Sequence, residues 1–160
     1  MALLVHTIPR YTDKDDVNKL QVHIACRPNP QIELGPVDSS VAVVVCDIEQ
    51  PDAPIVYASD AFYKLTGYHR SEVLGRNCRF LQLPHGSVEG SNSLEGSEKG
   101  ISRKLREAID ARNEIQVQII NFKRNGQPFT NFLSIVPINL DGTGYKYAVG
   151  FLVELYSQVS

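Results

Sequence analysis

The order of apolar runs and turn signals predicts an α+β domain: a five-stranded antiparallel sheet with helices packed on one face, preceded by an N-terminal cap. Three observations carry this expectation. Val41 to Ile48 is a β-branched, apolar run of the kind that forms a buried strand. Ser59-Asp60 and Gly67 bracket a short helical segment. Near the C-terminus, Asn125-Gly126 and Asp141-Gly142 separate three extended segments and mark the turns that join them.

Taken along the chain, residues 1–36 form an N-terminal cap and hinge. Asp15-Asp16 can cap a helix carrying Val17, Leu20 and Ile24 on one face. The alternation Leu20, Val22, Ile24 fits a strand equally well, and the sequence leaves both open. Pro28, Pro30 and Pro36 then exclude helix and favour a stiff, extended connector. The apolar content of this region favours docking on the domain over fraying. The main domain spans 37–156, and 157–160 form a tail. A second strand covers Pro54 to Ala58, a helix covers Ala61 to Thr66, and Ser71 is placed to cap a further short turn. Leu83 to Gly100, rich in glycine and serine, is a flexible insertion, and a helix begins near Ser102. Strands follow over Glu114 to Phe122, Phe129 to Ile138 and Tyr145 to Tyr156.

Composition narrows the function classes. Sixteen basic residues against eighteen acidic ones give a net charge of −2, which provides no electrostatic footprint for nucleic acid or an anionic membrane. No apolar run approaches the length of a bilayer span. Cys26, Cys46 and Cys78 form no CxxC pair, and the four histidines are too scattered for a zinc site. A reduced cytoplasmic or nuclear setting is the expectation.

The chemistry concentrates around GRNCRFLQ, residues 75–82. Cys78 lies between Asn77 and Arg79, with Gln82 following, and no histidine is near enough in sequence to act as its base. A protease-type nucleophile is therefore disfavoured, whereas a buried packing thiol and a photochemical thiol both stay open. Asn121 and Asn131 lie on facing strands of a hairpin, where a buried amide is unfavourable unless it is paired. Amides carry donors and acceptors together, matching the alternating N–H and C=O edge of a flavin. Arg103 and Arg106 project from one face of their helix and, with Arg79, suit a phosphate. Glu107 and Asp110 follow them at ion-pair spacing, so surface pairing fits equally.

GRNCRFLQ resembles the signature of LOV domains, the flavin-binding blue-light branch of the PAS fold. The likeness extends through PIVYASDAFYKLTGY, EIQVQIINFKRNGQPFTNF and YAVGF, covering nearly all of residues 37–156. RPNPQIELGPVD and the long insertion are similar to short fungal LOV photoreceptors and their white-collar relatives. The resemblance implies that Cys78 bonds reversibly to flavin C4a after blue-light excitation. It implies that Asn121 and Asn131 hold the pyrimidine edge, with Asn77 and Gln82 assisting. Arg79 and Arg106 then bind phosphate, with Arg103 a weaker candidate. The cofactor implied is FAD or FMN, the 83–100 insertion favouring FAD. The implied output is cap rearrangement with a light-dependent homodimer or a white-collar-type PAS/LOV partner, modulating light-regulated transcription without enzymatic turnover. With no effector segment behind the sheet in this sequence, the signal is expected to leave through the domain surface or the arm.

One position departs from the pattern. Leu152, in YAVGFLVEL, stands where most LOV domains carry a glutamine facing flavin N5 and O4. Leucine has no hydrogen-bonding group, so the photochemistry is expected to persist while the usual relay into the sheet is altered. The rival readings are a flavin redox sensor that does not need Cys78, and a PAS module used only for protein contacts. A flavoenzyme is weaker still, because no acid–base pair accompanies the flavin ligands.

Overall fold

The computed structural model describes residues 14–38, 40–87 and 96–156. The first thirteen residues of the cap, the 88–95 part of the insertion and the 157–160 tail lie outside them. The chain runs α1 (Lys14–Ala25), β1 (Ala42–Asp47), β2 (Ile55–Ala58), α2 (Asp60–Thr66), α3 (Arg70–Val73), a 3-10 turn (Cys78–Gln82), α4 (Gly96–Asp110), β3 (Ile115–Phe122), β4 (Pro128–Ile138) and β5 (Tyr147–Leu155). The five strands form one antiparallel sheet in the order β2-β1-β5-β4-β3. The expected α+β architecture is the one observed, with strand ends shifted by only a residue or two.

Alternation along each strand divides the sheet into two unlike faces. Ala42 and Val44 of β1 and Leu152 of β5 point to the side covered by α2, α3 and the 3-10 turn, where Ile55, Phe62, Val73, Phe80 and Leu81 complete a core. Val43, Val45, Val136, Val149 and Phe151 point the other way and pack beneath Leu20 and Ile24 of α1. Leu20 and Ile24 are 3% and 4% exposed whereas Val22 is 61% exposed, a helical spacing that settles the ambiguity left by the sequence. A strand would have turned all three residues to one side.

Gly150 makes the close contact of β5 with β1. A Cβ there would lie 2.9 Å from Val44 Cγ2, inside van der Waals contact. Val44 is β-branched and buried, so it has little freedom to yield. Gly150→Ala is expected to destabilise the domain by about 1–3 kcal/mol, measured as a lower urea midpoint. An unchanged midpoint would show that the strands separate at no cost.

The local signals around the 3-10 turn are mostly legible in the sequence. Ser59 Oγ accepts from Phe62 N at 3.3 Å and from Val43 N at 2.9 Å, capping α2 and tying it to β1. Gly67, at φ 77°, closes the helix in the left-handed conformation. The cap of α3, however, is His69 rather than Ser71. His69 Nδ1 accepts from Ser71 N at 3.2 Å and Glu72 accepts from His69 N at 3.1 Å, a reciprocal capping box. The insertion is also shorter than expected, because Gly96–Gly100 already belong to α4. Ile101, Leu105, Ala108 and Ile109 recur on the inward side of that helix, and their burial outweighs the poor helix propensity of its glycines.

The arm after α1 runs without helix or strand from Arg27 to Asp38 and is tied down at Glu114, just before β3. The Glu114 carboxylate accepts from Arg27 Nε at 2.7 Å and Nη2 at 3.2 Å, and from the backbone N–H of Gln31 and Ile32 at 2.9 and 3.1 Å. Gln31 Oε1 in turn accepts from Glu114 N at 2.7 Å. Burial raises the Glu114 carboxyl pKa, but the Arg27 bond, the two backbone donors and the Arg27 charge outweigh it and leave the group below its ordinary value.

Candidate functional site

The site grows from the turn that presents Cys78. Asn77 caps it, its Oδ1 accepting from Arg79 N at 2.9 Å while its Nδ2 donates to Asp52 O at 2.7 Å. Phe80 and Leu81 anchor the turn in the core. Phe80 stands edge-on to Tyr68 at 4.9 Å between ring centroids, and Arg76 lies over its outer side at 4.5 Å. With both ends fixed, Cys78 is half-buried against the cluster that contains Ala42, Val44, Leu133 and Leu152.

Asn121 and Asn131 are 4% and 1% exposed. Asn131 lies two residues before Leu133 on β4, and Asn121 pairs with Phe129, so both amides share the Cys78 side of the sheet. Asn131 Nδ2 donates to Asn121 Oδ1 at 2.9 Å, Asn131 Oδ1 accepts from Val153 N at 3.2 Å, and Asn121 Nδ2 donates to Ile120 O at 3.2 Å. The two side chains satisfy each other and the backbone, which offsets the desolvation of two buried amides. On β5, Leu152 faces Ala42 on one side and Leu133 on the other and is 4% exposed, an apolar patch beside the polar pair.

Arg79 is paired with one carboxylate, and the charge of Arg106 also acts on it. Arg79 Nη1 and Nη2 donate to the two Asp52 oxygens, each at 2.6 Å, in a forked pair. The Arg79 hydrogen bonds hold the Asp52 carboxyl below its ordinary value, with burial opposing and the charges of Arg79 and Arg106 adding to the effect. Asp52 therefore marks a point near which both guanidiniums favour an anion. Arg103 is exposed on α4. Gln82 sits at the end of the 3-10 turn, its Oε1 accepting from Ser102 Oγ at 3.1 Å. Sequence reasoning missed Asp52, Ser102 and Cys46, whose partners lie 20 to 32 residues away. Only the period of β1, which places Cys46 on the face of Ala42 and Val44, gave a signal for any of them.

These residues fit a flavin. Two buried amides offer donors and acceptors side by side, a thiol stands at the edge of an apolar cluster, and the Arg79 guanidinium grips an anionic group.

The PAS domain family model matches residues 40–155. Among curated proteins, the blue light receptor lreA of Aspergillus flavus is 43% identical over 140 residues, covering 88% of this chain and 16% of that protein. White collar 1 protein of Neurospora crassa is 44% identical over 133 residues, covering 83% of this chain and 11% of its own length. The chain thus spans under a fifth of either relative. Among solved structures, the photo-excited blue-light photoreceptor Vivid is 48% identical with a TM-score of 0.79, covering 87% of this chain and 95% of that one. The light-state dimer of Vivid matches with the same identity and TM-score over 93% of this chain and 100% of that one. With the half-buried cysteine, the paired amides and the sheet order already in place, the match over full domain length leaves one assignment: the chain belongs to the PAS domain family, in its LOV branch.

Proposed function

We propose that this chain is a blue-light photoreceptor that holds FAD or FMN and couples light absorption to the position of its N-terminal arm. The observation that carries the reading is the placement of a half-buried Cys78 and the buried Asn121–Asn131 pair on the same side of one sheet. A flavin bound there would supply a light-excited state able to react reversibly with the Cys78 thiol. Asn121 and Asn131 orient the pyrimidine edge. Arg79 and Arg106 take phosphate in place of Asp52. Both polar atoms of Asn77 are already engaged, so its part is to fix the turn, and Gln82 is steadied by Ser102. Arg103, exposed on α4, serves a longer cofactor tail if FAD is the one bound.

The test is the absorption spectrum of the purified protein before and after a blue flash. A structured blue band that bleaches to a near-ultraviolet species and recovers in the dark is the expected result. A flavin band that never bleaches would replace this reading by redox sensing, and no band would leave a PAS contact module.

The output we infer is release of the arm and association with a second copy or a white-collar-type partner. It is supported by the docking of α1 on the sheet face opposite Cys78, and by the light-state dimer that the similar photoreceptor Vivid forms. Deleting residues 1–36 is expected to abolish light-dependent association while leaving the photocycle intact. Sizing data showing lit dimers of the truncated protein would overturn it. Leu152→Gln is expected to move the flavin band to longer wavelength by adding a donor near O4, and an unshifted band in a flavin-loaded variant would remove that role. No substrate turnover enters this proposal. No helix among the described residues is long and apolar enough to cross a membrane.

A further inference from the structure

The photochemical reading uses one sulfur, but the site contains two. Cys46, the fifth residue of β1, points from the sheet toward the 3-10 turn, and its Sγ lies 3.6 Å from Cys78 Sγ. Both side chains pack on the same apolar cluster. They are 32 residues apart in sequence and come from separate, rigid elements: β1 is paired on both sides, and the Cys78 turn is anchored by Phe80 and Leu81.

We propose that Cys46 is a resolving thiol for Cys78, and that the two form a reversible intramolecular disulfide when the protein meets a hydroperoxide. The balance is simple. The Cys78 sulfur attacks one peroxide oxygen, the O–O bond breaks, and Cys78 sulfenic acid and one water result. The Cys46 sulfur then displaces hydroxide from the Cys78 sulfur, the departing hydroxide takes the Cys46 proton, and a second water leaves. Two thiols give up two electrons and two protons, and one hydrogen peroxide becomes two waters. A dithiol reductant reverses the step by exchange through a mixed disulfide.

The hydrogen bond to Cys78 and burial both push the Cys46 thiol up, which favours its neutral form beside Cys78. Closing 3.6 Å to a covalent S–S distance of roughly 2 Å is within the reach of side-chain rotation. The cross-link occupies the sulfur that photochemistry needs, so an oxidised protein keeps its flavin site but loses its light response. This consequence rests on the photoreceptor reading, whereas the cross-link itself does not.

The test uses the full chain with Cys26→Ser, in the dark, treated with hydrogen peroxide, alkylated after denaturation and mapped by peptide mass spectrometry. The expected product joins the Cys46 and Cys78 peptides within one chain, and dithiothreitol restores two free thiols. In parallel, the fraction able to bleach under blue light should fall in proportion to the cross-linked fraction and return on reduction. With Cys46→Ala or Cys46→Ser, no cross-link is expected, and Cys78 should progress to sulfinic acid that dithiothreitol does not rescue. Two free thiols after peroxide, or sulfinic Cys78 beside a free Cys46 in the parent protein, would overturn the proposal. A reversible cross-link in a protein whose reduced form never bleaches would uphold the thiol pair and overturn the photoreceptor reading instead.

Discussion

Asn131→Leu should strip the protein of flavin and lower the stability of the cofactor-free domain by about 2 kcal/mol. Leucine keeps the branched shape of asparagine and is bulkier, so the loss is not that of a cavity. It comes from hydrogen bonding: Asn121 Oδ1 loses its buried donor and the Val153 N–H loses its acceptor. The Asn121 group, 4% exposed, has little recourse to water. Urea unfolding of the apo protein and the ratio of flavin to protein absorbance read the two effects separately. Full flavin occupancy in the variant would remove Asn131 from the cofactor site. An unchanged urea midpoint would show that the amide pair contributes nothing to the fold.

A comparable loss is expected at the other end of the sheet. Glu114→Ala leaves Arg27 without its carboxylate and frees two backbone donors in the arm, at side-chain exposures of only 12% for Arg27 and 8% for Glu114. Breaking a pair this enclosed costs about 3 kcal/mol of docking energy. Hydrogen exchange over residues 27–34 should then accelerate in the dark toward the rate of an undocked segment. Glu114→Gln keeps an oxygen for the Gln31 and Ile32 N–H groups and should fall between the two. Acid should act in the same direction as the mutation. The carboxyl lies below its unfolded value, so its contribution is complete above the ordinary carboxylate pKa of about 4.3 and is lost as pH falls through the lower folded value. Equal protection of the arm in parent and Glu114→Ala proteins would show that α1, and not this contact, holds it.

What can be read from the chain, and what cannot, follows from the range of the interactions. The β-branched run at 41–48, the Ser59 and Gly67 signals and the Asn125-Gly126 turn are local, and each is found where local chemistry put it. The amphipathic run at 17–24 satisfies two periods at once, and only the presence of a flat apolar surface beneath it, built from Val43, Val45, Val136 and Val149, selects the helix. At α3 the histidine is easily passed over because its ring is a less common cap than the serine beside it, although Glu72 three residues on completes the motif. The Cys78 motif and its amides are legible through family likeness. Asp52 is not: a lone aspartate in QPDAP announces a turn, and its grip on Asn77 and Arg79, 25 and 27 positions further on, exists only once the chain between them has folded.

The sheet is a single layer, and neighbouring residues of one strand serve opposite tasks. Val45 lies under the arm and Cys46 beside Cys78; Phe151 packs beneath α1 and Leu152 toward the Cys78 cluster. Such a wall constrains descent differently for different kinds of change. Substitution at Leu152 or Val45 alters one side and leaves the other standing, so the Cys78 face and the face under α1 can drift independently, one residue at a time. Gain or loss of a single residue inside β1 or β5 would turn every later side chain to the wrong face and exchange the two roles together. Changes of length are therefore confined to the connections, such as the turn at 139–146, while the strands can vary only in what they display.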